Sequence, residues 1–116
     1  MPPRARLFVG QLNFNATEDD IYALFDFYGD VLHVNILRDK ETQKSKGSAF
    51  VEYGSTVEAD FAILGLHNRC NTGHRKRLQV SYCSKSELIS DFGRDHASKL
   101  HNENPVNPAP PQRVQR

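Results

Sequence analysis

Apolar and polar side chains alternate at period two near the start of the chain. In residues 5–9, Leu7 and Val9 fall on one side while Arg6 and Phe8 fall on the other, which predicts a strand resting on a core. The alternation returns over residues 46–53, where Ala49, Val51 and Tyr53 point inward and Lys46, Ser48, Phe50 and Glu52 line the opposite face. Between these strands, Ile21, Leu24, Phe25 and Tyr28 recur at helical spacing. Thr17 and Asp20 form a weak capping box at the start of that helix, Glu18 and Asp19 suit its N-terminal dipole, and Gly29 is a natural stop.

Residues 31–38 are rich in β-branched side chains, and alternation there buries Leu32, Val34 and Ile36 while turning His33, Asn35 and Leu37 to the other face. Residues 39–45 are polar and aperiodic, which predicts a flexible hairpin connection. Ser55 and Glu58 carry a full capping-box signature ahead of a second helix that buries Ala59, Ala62, Ile63 and Leu66. A fourth strand over residues 77–83 places Leu78, Val80 and Tyr82 inward and Gln79, Ser81 and Cys83 outward; Leu12 and Phe14 are expected to cap the core edge. The predicted fold is α+β, a ferredoxin-like βαββαβ arrangement with a four-stranded antiparallel sheet and two helices on one face. The other face is left for a ligand.

Outward aromatics on two strands need a reason, and stacking on flat groups is one. Phe8 and Phe50, flanked by Arg6 and Lys46, make a surface suited to bases and phosphates. Gln11, Asn35, Gln79 and Ser81 offer donors and acceptors on the same face, with Leu37 beside them, and the Ser48 hydroxyl can bond a base or sugar although it cannot stack.

Residues 46–53 (Lys-Gly-Ser-Ala-Phe-Val-Glu-Tyr) are similar to the RNP1 octamer, and residues 7–12 (Leu-Phe-Val-Gly-Gln-Leu) to the RNP2 hexamer, in the family's order and separation. Over residues 5–84 the chain therefore resembles the RNA-recognition motif (RRM) family. It departs from the pattern at Ser48, where the octamer most often carries a third stacking ring. Leu37-Arg38-Asp39, residues 45–51 and Arg77-Leu78-Gln79-Val80 look most like the Bruno/CELF-like proteins. The resemblance implies single-stranded RNA, U-rich or GU-rich, as the partner, with a role in mRNA splicing, stability or translation. A different reading is an RRM-fold protein-interaction module whose sheet is covered by the C-terminal extension or a partner.

Composition narrows the context. The chain has 116 residues, a net charge of +1 and a pI near 7.8, so overall charge does not announce a nucleic-acid partner. Its distribution says more: cations gather in residues 38–46 and 69–77, whereas Glu18, Asp19, Asp20, Asp26 and Asp30 surround the first helix, a face that could recruit a protein partner. Cys70 and Cys83 are too few for a disulfide framework, and no apolar run reads as a signal peptide or membrane span. A monomer in an intracellular, reducing setting, cytoplasmic or nuclear, is expected. Cys70 and His74 lack the companions a zinc site needs, the histidines read as solvated, and Cys83 is oxidisable only if exposed. No metal, cofactor or catalytic constellation is expected, hence no enzyme.

The predicted organisation is a flexible stretch at 1–4, the domain at 5–84, a short helix or an irregular segment at 85–100, and a disordered Pro-rich tail at 101–116. Leu88, Ile89 and Phe92 give the third segment a partial helical face interrupted by Gly93, and such a helix could fold back over Phe50.

Overall fold

The computed structural model describes residues 2–69 and 76–110. In chain order it contains β1 (Ala5–Gly10), α1 (Glu18–Asp26), β2 (Val31–Arg38), β3 (Ser45–Tyr53), α2 (Thr56–Leu66), β4 (Gln79–Tyr82) and α3 (Asp91–Glu103). The strands form one antiparallel sheet in the order β2-β3-β1-β4, so β1 and β3 are central and pair Phe8 with Phe50. This is the expected ferredoxin-like arrangement. Leu7, Val9, Val51, Val80 and Tyr82 join Ile21 and Phe25 of α1 and Ala59, Ala62, Ile63 and Leu66 of α2 in one buried cluster. Two tyrosines tie the layers together: the Tyr53 hydroxyl donates to the Phe25 carbonyl at 2.7 Å, and that of Tyr82 to Asp60 at 2.8 Å.

Both helix starts follow their capping residues. Thr17 and Asp20 exchange side chain to backbone bonds reciprocally. At α2 the Ser55 hydroxyl accepts from the Glu58 amide, but Glu58 reaches across the fold, accepting from the Asp30 amide at 2.7 Å as well as from the Ser55 hydroxyl. That carboxylate joins the start of α2 to the α1–β2 connection. The α1–β2 connection packs closely on α2 at Gly65, where a methyl group would collide with the Tyr28 ring.

Four local expectations change. Leu32 is 49% exposed and Val31 is buried instead, because the β2–β3 register advances by two residues from Val31 to His33 against one from Tyr53 to Glu52. The extra residue of this bulge, Leu32, is turned out. The connection after β2 is a hydrogen-bonded turn rather than a loose one: the Asp39 carboxylate accepts from the amides of Glu41 and Thr42, which holds its pKa below the ordinary value. Ser81 and Cys83, expected outward, are only 3% and 5% exposed, since the chain beyond β4 packs back on the domain. Finally, a helix runs to Glu103 and a bonded turn follows it, so residues 101–107 are not a free tail.

That return begins along β1, where Cys83 donates to the Arg6 carbonyl, Arg6 to the Ser86 hydroxyl, and Leu88 to the Arg4 carbonyl. Ser90 then caps α3 and also donates to Asp60. Helix α3 packs on β4, with Gly93 against the Tyr82 ring, where no side chain would fit. An edge strand leaves backbone groups unpaired, and here two histidines take them. His67 Nδ1 accepts from the Val80 amide at 3.0 Å, and His96 Nε2 donates to the Val80 carbonyl at 2.9 Å. The two imidazoles meet edge to face at 4.5 Å, and Phe92 stacks on His96. The considered pairing of Cys70 with His74, the 70–75 part of the basic loop, and residues 111–116 of the tail lie outside the described residues.

Burial, and then the neighbouring His96, pull the His67 imidazole down to about 4. Because that lies below its ordinary 6.5, this group supports the fold fully above pH 6.5, and its contribution is lost as pH falls toward 4. Unfolding free energy measured against pH is expected to fall by on the order of 2 kcal/mol more in the parent than in His67→Leu over that window. Parallel pH profiles would refute the assignment. Gly93→Ala is expected to cost about 1–3 kcal/mol in denaturant unfolding, through overpacking on Tyr82; an unchanged midpoint would mean that α3 is not seated as described.

Candidate nucleic-acid interface

On the face turned away from α1 and α2, Phe8 and Phe50 stand side by side on the central strands. Their ring centroids are 6.0 Å apart at an interplanar angle of 63°, an edge-to-face pair. Both rings are half-buried, and Gly10 leaves room for Phe8, since a methyl group there would approach the ring edge to 3.3 Å.

Arg6 lies beside this pair, with its guanidinium carbon 5.4 Å from the Phe50 centroid. It is also held by Glu52, which accepts from Arg6 Nε at 3.0 Å and from Arg4 at 2.9 Å. Glu52 is 8% exposed, yet burial, which alone would raise its pKa, is outweighed by the two arginines, which hold it below the ordinary carboxylate value. For Arg6, burial pulls the pKa down but bonding and attraction to Glu52 outweigh it, leaving a net rise. The structure thus neutralises a cation that the sequence offered for phosphate.

The remaining predicted residues divide into three groups. Gln11, Lys46, Ser48 and Gln79 join Phe8 around a cavity of about 330 Å³. Asn35 is exposed on β2 opposite Phe50, with half-buried Leu37 further along that strand. Ser81 pairs with Phe8 across β1 and β4 but is enclosed, so its hydroxyl is not presented to solvent.

Besides the glycines Gly10 and Gly47, three further residues line the same cavity without having been singled out for this face: Phe14, Val106 and Asn107. Of the two residues expected at the core edge, Leu12 is buried, but Phe14 is 61% exposed. The ring passes over Gly47, whose φ of +78° and lack of a side chain allow the approach; a methyl group there would lie 3.0 Å from it. The sequence signal was that glycine, a residue with nothing above its own strand position. Val106 and Asn107 carried no comparable signal, because the turn after α3 reaches this face only through helix docking.

Among the described residues, no helix is long and apolar enough to cross a membrane, and no group of three or more His, Cys, Asp or Glu side chains is placed to hold a metal ion.

Comparison with known proteins gives a consistent picture. The profile of the RNA recognition motif family matches residues 7–77. The chain is similar to flowering time control protein FCA of Oryza sativa subsp. indica, at 40% identity over 78 residues, covering 66% of this chain and 11% of that protein. It is also similar to organelle RRM domain-containing protein 6, chloroplastic, of Arabidopsis thaliana, at 33% identity over 92 residues, covering 79% of this chain and 48% of that protein. The chain thus spans less than half the length of either relative. Among solved structures, a Sxl-lethal protein/RNA complex is similar at 38% identity with a TM-score of 0.62, covering 66% of this chain and 46% of that one.

Removing the carboxylate tests the electrostatics of the face. Glu52→Gln is expected to lower unfolding free energy by about 1–2 kcal/mol, since two partly exposed guanidiniums lose their shared partner. Denaturant midpoints check this; equal midpoints would make the Arg4–Glu52–Arg6 triad energetically idle.

Proposed function

The chain belongs to the RNA recognition motif family, and from that premise we propose that it binds single-stranded RNA on the sheet face carrying Phe8 and Phe50. The observation that carries this reading is the pair of rings on adjacent central strands, opposite the face that α1 and α2 occupy. Each ring offers a base a flat partner worth about 1–3 kcal/mol, whatever the base. Asn35, Gln11 and Gln79 supply the hydrogen-bonding groups that read base edges, and Lys46 supplies charge for a phosphate. Arg6 contributes by packing over Phe50 more than by free charge, because Glu52 already partners it.

A similar chain is solved as a protein/RNA complex, which supports RNA as the ligand class. The finer reading is U-rich or GU-rich mRNA, bound by a monomer in post-transcriptional regulation inside the cell. It rests on the Bruno/CELF-like character of the segments around Asp39, Ser48 and Val80 alone, because the similar proteins are RRM proteins of several kinds. The rival reading, a protein-interaction module with a covered sheet, is less favoured, because α3 sits on β4 and of the C-terminal extension only the turn after α3, with Val106 and Asn107, lines the cavity beside Phe8.

Phe8→Ala and Phe50→Ala are each expected to weaken binding of a short U- and G-containing RNA about tenfold, with the domain still folded by NMR. The salt dependence should be shallow, with log K falling against log salt at a slope on the order of −1 to −2. A folded double variant that binds with parental affinity would exclude the stacking mechanism.

A further inference from the structure

The family pattern places a third ring where this chain has Ser48, and the structure brings an aromatic side chain from elsewhere to the same cavity. Phe14, from the connection between β1 and α1, lies over Gly47 directly beside Ser48, with 61% of its surface exposed. It lines the cavity of about 330 Å³ together with Phe8, a volume at the lower end of small-molecule sites. Lys46 stands at the same cavity.

The polar groups of the cavity are not equivalent. Gln79 Nε2 is committed to the backbone carbonyls of Arg77 and Leu78, at 3.2 and 3.3 Å. Asn107 Nδ2 is likewise committed to the Leu100 carbonyl at 3.1 Å. Both N–H groups of the Gln79 amide are thus engaged, so it offers a ligand its carbonyl oxygen, an acceptor, whereas Asn107 keeps its carbonyl oxygen and one N–H. Asn107 is held in place by a bonded turn, in which its amide donates to the Asn104 carbonyl and its own carbonyl accepts from His101 Nδ1.

Resting on the RNA-binding reading above and deepening it, we propose that this cavity is a nucleobase subsite. In it, Phe14 provides the stacking surface that Ser48 lacks, and Gln79 and Asn107 accept hydrogen bonds from the base edge. Two acceptors favour a base with two adjacent donor groups. Guanine presents N1–H and the N2 amino group side by side; uracil offers only N3–H, and adenine and cytosine each offer one amino group. With Asn107 presenting its carbonyl oxygen beside that of Gln79, the subsite selects guanine, and the C-terminal extension takes part in base selection through Asn107.

The test uses the 116-residue chain and the RNA pentamers UUGUU, UUIUU (inosine lacks the N2 amino group) and UUUUU, with affinities measured by titration calorimetry. The parent is expected to bind in the order guanine, inosine, uracil. Phe14→Ala is expected to weaken UUGUU binding about tenfold, and Phe14→Leu, which keeps an apolar contact over Gly47 without an aromatic face, to weaken it comparably. Parental affinity for UUGUU in both folded Phe14 variants, while Phe8→Ala weakens binding, overturns the subsite and leaves the RNA reading intact. Equal affinity of the parent for guanine and inosine overturns the two-acceptor assignment. Parental affinity in Phe8→Ala and both Phe14 variants removes the sheet as the binding face, and the subsite with it.

Discussion

A sheet has two faces, and in this chain both α1 and α2 are committed to one of them. Leu7, Val9, Val51 and Val80 lie beneath Ile21, Phe25, Ala59 and Ile63, none more than 2% exposed. Burying such side chains contributes about 1.5–3 kcal/mol apiece, so the register between strands is strongly held. A slip of one residue would turn Leu7 and Val51 to solvent and Phe8 and Phe50 into the core. The outward rings are thus a consequence of the core rather than an addition to it. Their relative placement follows too, because the Phe8–Phe50 pairing is set by the inward pairs that flank it, Leu7 with Val51 and Val9 with Ala49.

The open edge of the sheet is the second constraint, and its solution links the helical side to the ligand face. His67, at the end of α2, and His96, on α3, take the two free groups of Val80. Gly93 packs on Tyr82, a ring belonging to the buried face, while Asn107 lines the cavity on the opposite face. Helix α3 with its following turn therefore wraps from one layer, past the β4 edge, to the other. A contact made for stability thereby carries a polar side chain to the face where bases would lie.

What could be read from the sequence was what the chain decides locally. Period-two alternation, helical spacing and both capping signatures gave the strands, helices and the Phe8 and Phe50 rings, because those patterns depend on neighbours within a few residues. Leu32 could not be placed that way: a bulge is a property of two strands in register, and alternation along one strand cannot show it. Ser81 and Cys83 kept their strand positions but not their exposure, which depends on residues beyond 83 returning along β1 and β4. His67 read as a solvated histidine because its partners, Val80 and His96, are distant in sequence. Phe14 was placed at the core edge with Leu12, because the glycine it covers lies on β3, distant in sequence.

Charge and stacking contribute unequally to such a face. The chain carries a net charge of only +1, and the two arginines nearest Phe50 share the carboxylate of Glu52. For Arg4 or Arg6 to engage a phosphate fully, a bond to a nearly buried acid would have to be surrendered, so little backbone affinity is available from that side. Contacts to phosphate position a nucleic acid without reading it, whereas contacts to bases discriminate. On the proposed reading, a face whose two nearest arginines are held by a carboxylate, but which carries rings and amides, draws a larger share of its binding free energy from the bases. On that reading the difference between a fitting and a non-fitting base becomes a larger fraction of the whole. On the same reading the Arg4–Glu52–Arg6 triad would shape selectivity by withholding charge, even though none of its members would read a base edge.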